Sequence, residues 1–226
     1  LSRNALVVCV SFCHLHIGLL RARDVAANGM FLYQSTPKRA TDRRTAGPSH
    51  GKGTEFVAVP ADHAQKVAAA IADFRDSPAV FGFHIGDEPN KYNNDAYFES
   101  YRMTKAAAPE LHPFMNLLPY APGRESHVGY PTWADYLDAA VKKGNVDFLC
   151  YDCYSQMDPG TSGWDKYFEN LRLYREAAWR NGVPFWTTIL SVGHYRYRCP
   201  NYDELRWQFN SAVCSGANGI LWFFYY

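Results

Sequence analysis

The sequence predicts an α/β fold in which parallel strands alternate with helices and close into a TIM-type (β/α)8 barrel. Three observations lead there. Short apolar runs start at residues 79, 114, 146, 184 and 219, spaced 32–38 residues apart, the length that a strand with its crossover helix needs. Stretches of helical periodicity fill the gaps, the pattern of βαβ units on a parallel sheet. The 226 residues are 47% hydrophobic and 20% charged. That composition excludes a disordered or collagen-like chain, and the length suffices for the core of one such domain.

Taken in order, the first element is Leu6–Phe12, short and rich in β-branched residues, which reads as a buried strand. Together with Arg3, the apolar run from Ala5 to Cys13 also fits the core of a signal peptide. Met30–Gln34 is the second strand. The segment from Ser35 to Gly53 carries Lys38, Arg39, Arg43, Arg44 and Lys52 against Asp42 alone, as in a solvated loop. A helix over 60–74 places Val67, Ala70, Ile71 and Phe74 on one stripe. The strand Ala79–Ile85 leads into a helix over 95–107 that starts from an Asn/Asp cluster suited to capping. Phe114–Leu118 is followed by a helix from Trp133 to Val141. That helix closes at Lys142-Lys143-Gly144, with cations and a glycine where a helix end favours them. Val146–Asp152 precedes a helix over 167–179 that stops at Arg180-Asn181-Gly182. Pro184–Leu190 precedes one over 203–213 that ends near Gly216, and Gly219–Phe224 is the seventh strand.

Seven such units most economically form a barrel. A doubly wound open sheet is the competitor. Its nucleotide-binding form lacks support, because Gly47, Gly51 and Gly53 lie in a polar loop rather than between strand and helix. A barrel built on this count would lack a first strand and a last helix. Residues 1–226 are therefore expected to be a single catalytic domain from a longer chain. Lys and Arg number 23 against 22 Asp and Glu, so there is no global field for nucleic acid or an anionic membrane. No apolar run reaches the 18 residues of a membrane span.

In a barrel, chemistry gathers at the carboxyl-terminal ends of the strands. The most informative end is Phe81-Gly-Phe-His-Ile-Gly-Asp-Glu-Pro-Asn90. Simple alternation puts Phe81, Phe83, Ile85 and Asp87 toward the helices. Gly82, His84, Gly86 and Glu88 then face the interior, with Glu88 at the mouth. Pro89 drives Glu88 out of the right-handed helical region and ends the strand. A carboxyl beside a cavity with apolar flanks suits a proton donor. A polar loop start or helix cap is the structural alternative.

Gly82-Phe-His-Ile-Gly-Asp-Glu-Pro-Asn90 resembles the fourth-strand segment of the large clan of retaining (β/α)8 glycoside hydrolases. Asn116-Leu-Leu-Pro-Tyr120 is similar to the fifth strand of its bacterial β-galactosidase-like members. Asp147–Tyr154, Pro184–Ser191 and Gly216–Tyr225 are similar to the sixth, seventh and eighth strands. The resemblance runs from about Gly29 onward. It implies an O-glycosyl hydrolase of oligo- or polysaccharides that uses no cofactor and is secreted or extracytoplasmic, with Glu88 as general acid/base. Its partner would be a carbohydrate, with no nucleic acid and no membrane span.

One departure matters. The clan's nucleophile is a Glu at the end of the seventh strand, and Phe185–His194 contains no carboxylate. Asp152 is the best substitute: Phe148, Cys150, Asp152 and Tyr154 share a face, which aims Asp152 at the mouth. Glu125 is a weaker candidate, and Asp203 and Glu204 read as the start of a helix. Rings and amides near the strand ends, namely Asn116, Tyr120, Tyr154, His194 and Trp222, are the expected sugar contacts. His84 is expected to support Glu88 from inside the barrel, and His84 and Asp87 are counted with the substrate contacts. Cys150 and Cys153, three apart on a strand, face opposite ways and cannot share a zinc while the strand continues between them. Cys9, Cys13, His14 and His16 are dense in potential ligands, but nothing downstream completes a tetrahedral set, and no metal is expected. Two alternatives stay open: a carbohydrate-binding barrel without turnover, and a barrel lyase or metal-dependent hydrolase.

Overall fold

The computed structural model describes residues 7–11, 31–34, 58–59, 61–76 and 80–223, the first two segments as backbone only. Each expected strand is present: β1 (Val7–Ser11), β2 (Phe31–Gln34), β3 (Val80–Asp87), β4 (Phe114–Leu117), β5 (Leu149–Asp152), β6 (Phe185–Leu190) and β7 (Gly219–Phe223). The helices are α1 (His63–Phe74), α2 (Asn94–Ala107), the short α3 (Glu125–Val128), α4 (Trp133–Lys142), α5 (Trp164–Asn181) and α6 (Tyr202–Cys214). Their boundaries follow local chemistry. Thr132 caps α4 in a reciprocal box with Asp135, and Asn201 caps α6 in the same way with Glu204. α5 stops at Gly182, whose φ of 70° is the left-handed conformation that terminates helices. The basic loop 35–53 and the Cys13, His14, His16 group lie outside the described residues.

The strands form one parallel sheet in the order β1-β7-β6-β5-β4-β3-β2. β1 pairs with β7, the place of a first strand in a closed ring. Among the described residues β1 and β2 are the two edges of the sheet. The sheet is curled. Phe81 on β3 and Trp186 on β6 belong to strands three places apart, roughly 14 Å in a flat sheet. Their ring centroids are nevertheless 5.1 Å apart. Helices cover the convex side, burying Phe83, Ile85, Leu117, Leu149, Tyr151, Ile189 and Ile220 against Val67, Ile71, Phe98, Tyr101, Tyr136, Leu171 and Tyr174.

The concave side has an apolar floor of Phe81, Phe114, Phe148, Cys150, Trp186 and Leu221. Phe148 stacks on Trp186 at 4.3 Å, and His84 on Phe114 at 4.7 Å. Gly219 makes room for this plug: a Cβ there would sit 2.2 Å from the Trp186 ring. The inner rings are what make this a packed core rather than a pore.

β3 departs from simple alternation. Its register slips against β2 between Val80 and Gly82, and against β4 between His84 and Gly86. Each slip is a bulge that re-aims the residues beyond it. Phe81 thus joins the floor instead of the helix layer. Gly86 faces the helices, where a Cβ would meet the Tyr97 ring at 1.5 Å. Asp87, expected on the helix side, turns inward and bonds to Asn116. The expected placement of Phe81, Gly86 and Asp87 is corrected by these two bulges.

Candidate active site

Above the floor, the carboxyl-terminal ends of β3 to β7 surround a cleft of about 380 Å³. β3 delivers Asp87 and Glu88, β4 Asn116, β5 Asp152, β6 Thr188 and β7 Phe223. Asp152, Thr188 and Phe223 lie two residues beyond the floor residues Cys150, Trp186 and Leu221. Asn116 lies two beyond Phe114. The strand period of two therefore carries the same face from an apolar layer into a polar one.

Asn116 ties the acids together. Its Nδ2 donates to Asp87 Oδ1 at 2.9 Å and to Asp152 Oδ1 at 2.7 Å. The two accepting oxygens are thus no more than about 5.6 Å apart (2.9 Å on one side of a single nitrogen, 2.7 Å on the other). Thr188 Oγ1 donates to Asn116 Oδ1 at 3.4 Å, which orients the amide so that its N–H groups face the carboxylates. Asp87 stays open to the cleft, while Asp152 is half-buried.

Glu88 has a φ of 46°, the left-handed region that a glutamate seldom occupies. It is held there on both sides. Its own N–H bonds to Asn116 O at 2.8 Å, and the next carbonyl, of Pro89, accepts from Tyr136 Oη at 3.4 Å. A strained backbone fixed by its surroundings marks candidate functional positions. Glu88 is exposed to the cleft, yet the cleft walls reduce the solvation of its carboxyl and Asp87 adds its negative charge. Together they push the group up to about 7 against the pull of the Arg124 guanidinium. Burial, then the charges of Glu88 and Asp87, hold Asp152 well above the usual carboxylate range, opposed by the Asn116 hydrogen bond. Burial lowers the His84 ring, with Asp87 opposing. His84 Nε2 has no hydrogen-bond partner among the described residues.

Of the residues singled out from sequence, His84, Asp87, Glu88, Asn116, Tyr120, Asp152, Tyr154 and His194 all line the cleft. Asn116 spends its amide N–H groups on the two aspartates. Tyr154 packs edge-on to His194 at 6.4 Å. Trp222 does not line the cleft: alternation on β7 turns Leu221 and Phe223 inward and packs Trp222 against the helix-side core. Glu125 opens α3 away from the cleft lining, and Glu204 serves in the α6 capping box. Cys150 sits in the inner cluster and Cys153 in the outer one, on opposite faces. Sequence reading missed Thr188, Arg124, Lys166 and Tyr195. Alternation from Trp186 would have found Thr188. Arg124 and Tyr195 come from turns, where no periodicity aims side chains, and Lys166 from the first turn of α5, which begins before the helix expected over 167–179.

No family model matches the sequence, and no curated protein matches it. Similar solved structures do exist. A candidate α-L-fucosidase from Bacteroides thetaiotaomicron superposes with a TM-score of 0.50 at 14% identity, over 71% of this chain and 52% of that one. A glucosidase from Croceicoccus marinus gives 0.49 at 17% identity, over 90% and 44%. Bee venom hyaluronidase gives 0.43 at 14% identity, over 58% and 46%. The chain spans about half the length of these structures, and at such identities the likeness concerns the fold alone.

Proposed function

We propose that the cleft hydrolyses a glycosidic bond in an oligo- or polysaccharide, with Glu88 as the proton donor. The observation that carries this reading is the convergence of Glu88, Asp87 and Asp152 in one aromatic-walled cleft at the strand ends. A glycosidic oxygen is a poor leaving group until it is protonated. A carboxyl that titrates near 7 still holds its proton at mildly acidic pH and can give it up. The anomeric carbon meanwhile gains positive charge and needs a carboxylate beside it. Asp152 takes that role once its proton has left, against the burial that favours the protonated form and with the Asn116 hydrogen bond favouring the ionised one. Asn116, donating to both aspartates, favours keeping negative charge in the Asp87–Asp152 pair as the charge on the sugar develops. The α-L-fucosidase name of the structure that superposes with a TM-score of 0.50 agrees with this reading.

One observation favours a second reading. β6 ends without a carboxylate where the resembling clan keeps its nucleophile, as expected of a carbohydrate-binding barrel without turnover. A panel of alkyl glycosides and oligosaccharides, read as released sugar, separates the two. Release of sugar by the parent protein, lost in Glu88→Gln, supports hydrolysis. Undiminished release by Glu88→Gln would remove Glu88 from the mechanism, and binding of sugars without release would favour the second reading.

A further inference from the structure

The geometry points to Tyr195 as a specificity-determining residue: a stacking platform for a pyranose unit of a sugar chain, on the cleft wall away from the bond being cleaved. The substrate class it names rests on the glycosidase reading above.

Tyr195 is 95% exposed, so its ring gains almost nothing from burial. Its φ is 49°, a conformation that glycine accepts readily and a bulky side chain does not. Its ring meets the neighbouring His194 ring edge-on at 4.2 Å and is otherwise open to solvent, so it adds little to the core. The turn nonetheless holds it in place. His194 and Tyr197 exchange backbone hydrogen bonds of 3.0 and 2.8 Å across it. Arg196 pairs with Asp158 at 3.1 Å, and Arg198 N bonds to Met157 O at 3.0 Å. Arg198 also grips Glu204 on α6 through both carboxylate oxygens. The base of the turn is seated by Tyr197, edge-on to Tyr154 at 5.7 Å.

The position shows what the ring can meet. Tyr195 lines the same cleft as Glu88 and Asp152, but it follows β6, three strands from β3. The turn thus presents an aromatic face across the cleft from the proton donor. A flat ring with a hydroxyl tip suits a partner with an apolar C–H face and polar edges, which is the chemistry of a pyranose. Holding the backbone of the turn in advance lowers the ordering cost of binding.

The test measures binding and melting together. Titration of cellohexaose, xylohexaose, mannohexaose and a chondroitin hexasaccharide against the parent protein, Tyr195→Gly and Tyr195→Phe gives the affinities. Thermal unfolding reports the strain. For whichever hexasaccharide binds the parent, Tyr195→Gly should weaken binding about ten-fold or more while melting at the same or a higher temperature. Tyr195→Phe should retain affinity within a few-fold. Unchanged affinity in Tyr195→Gly would overturn the assignment, as would a parent that cleaves aryl monosaccharides but binds none of the four. A parent that binds a hexasaccharide through Tyr195 yet cleaves no glycoside would uphold the platform and overturn the hydrolase reading instead.

Discussion

The floor and the mouth of this barrel are built from the same strands, one residue pair apart, and differ in every physical respect. Phe114, Cys150, Trp186 and Leu221 form a dry layer of stacked rings and apolar side chains. Two residues onward stand Asn116, Asp152, Thr188 and Phe223, lining an open cleft with three carboxyl groups. The floor satisfies every demand of burial. The mouth crowds acids together, raises the carboxyls of Glu88 and Asp152, and holds Glu88 in a left-handed conformation. Stability and chemistry are thus stacked along the strand axis, and substitutions in the two layers should separate them.

The largest effect is expected in the mouth. Glu88→Gln should lower kcat ~10²–10⁴-fold without altering the circular dichroism spectrum, as measured by steady-state hydrolysis of an alkyl glycoside. Asp152→Asn should act in the same direction. The floor should show the converse. Trp186→Ala empties the centre of the ring stack and should cost about 3–5 kcal/mol in urea unfolding, while the protein that remains folded keeps its turnover number within a few-fold. A folded Trp186→Ala protein as inactive as Glu88→Gln would mean that the layers are not separable.

The third expectation is a pH signature. Folding raises the Glu88 carboxyl from its ordinary 4.5 to about 7. The folded state thus binds this proton more tightly than the unfolded state does. The stability contributed is fully present below about pH 4.5 and is lost as pH rises through 7. Chemical unfolding of Glu88→Gln should accordingly show less loss of stability over that interval than the parent protein, and an identical slope would contradict the placement of the carboxyl. The smallest effect lies outside both layers. Thr132→Ala removes the α4 cap and should cost about 1 kcal/mol with no change in activity, which makes it a control for stability-mediated loss.

Much of this arrangement was legible in the sequence, and the exceptions have physical causes. The run of apolar segments placed β2 to β7, because such segments bounded by glycine, proline or asparagine report burial directly, and a short β-branched stretch placed β1. Alternation correctly put Cys150 and Asp152 on one face and Cys153 on the other. It failed on β3, where two register slips turn Asp87 and Phe81 inward. A bulge is set by pairing with neighbouring strands, and a one-dimensional pattern does not contain it. Trp222 was misplaced for a different reason: its aromatic identity outweighed its register, although Leu221 and Phe223 bracket it. The amide bridge of Asn116 joins residues 29 and 36 positions apart, and no local spacing encodes it. Tyr195 carried no signal at all, since its left-handed backbone runs against its residue type.

The central claim is that Glu88 protonates a departing glycosidic oxygen, and leaving-group dependence tests it most directly. Rates for the parent protein and Glu88→Gln should be compared on two glycosides of the same sugar, one releasing dinitrophenol and one releasing an alkyl alcohol. An acid catalyst matters little when the leaving group departs unaided. The substitution should therefore slow the dinitrophenyl substrate only slightly and the alkyl substrate by ~10²-fold or more. An equal loss on both, or none on either, would contradict the account.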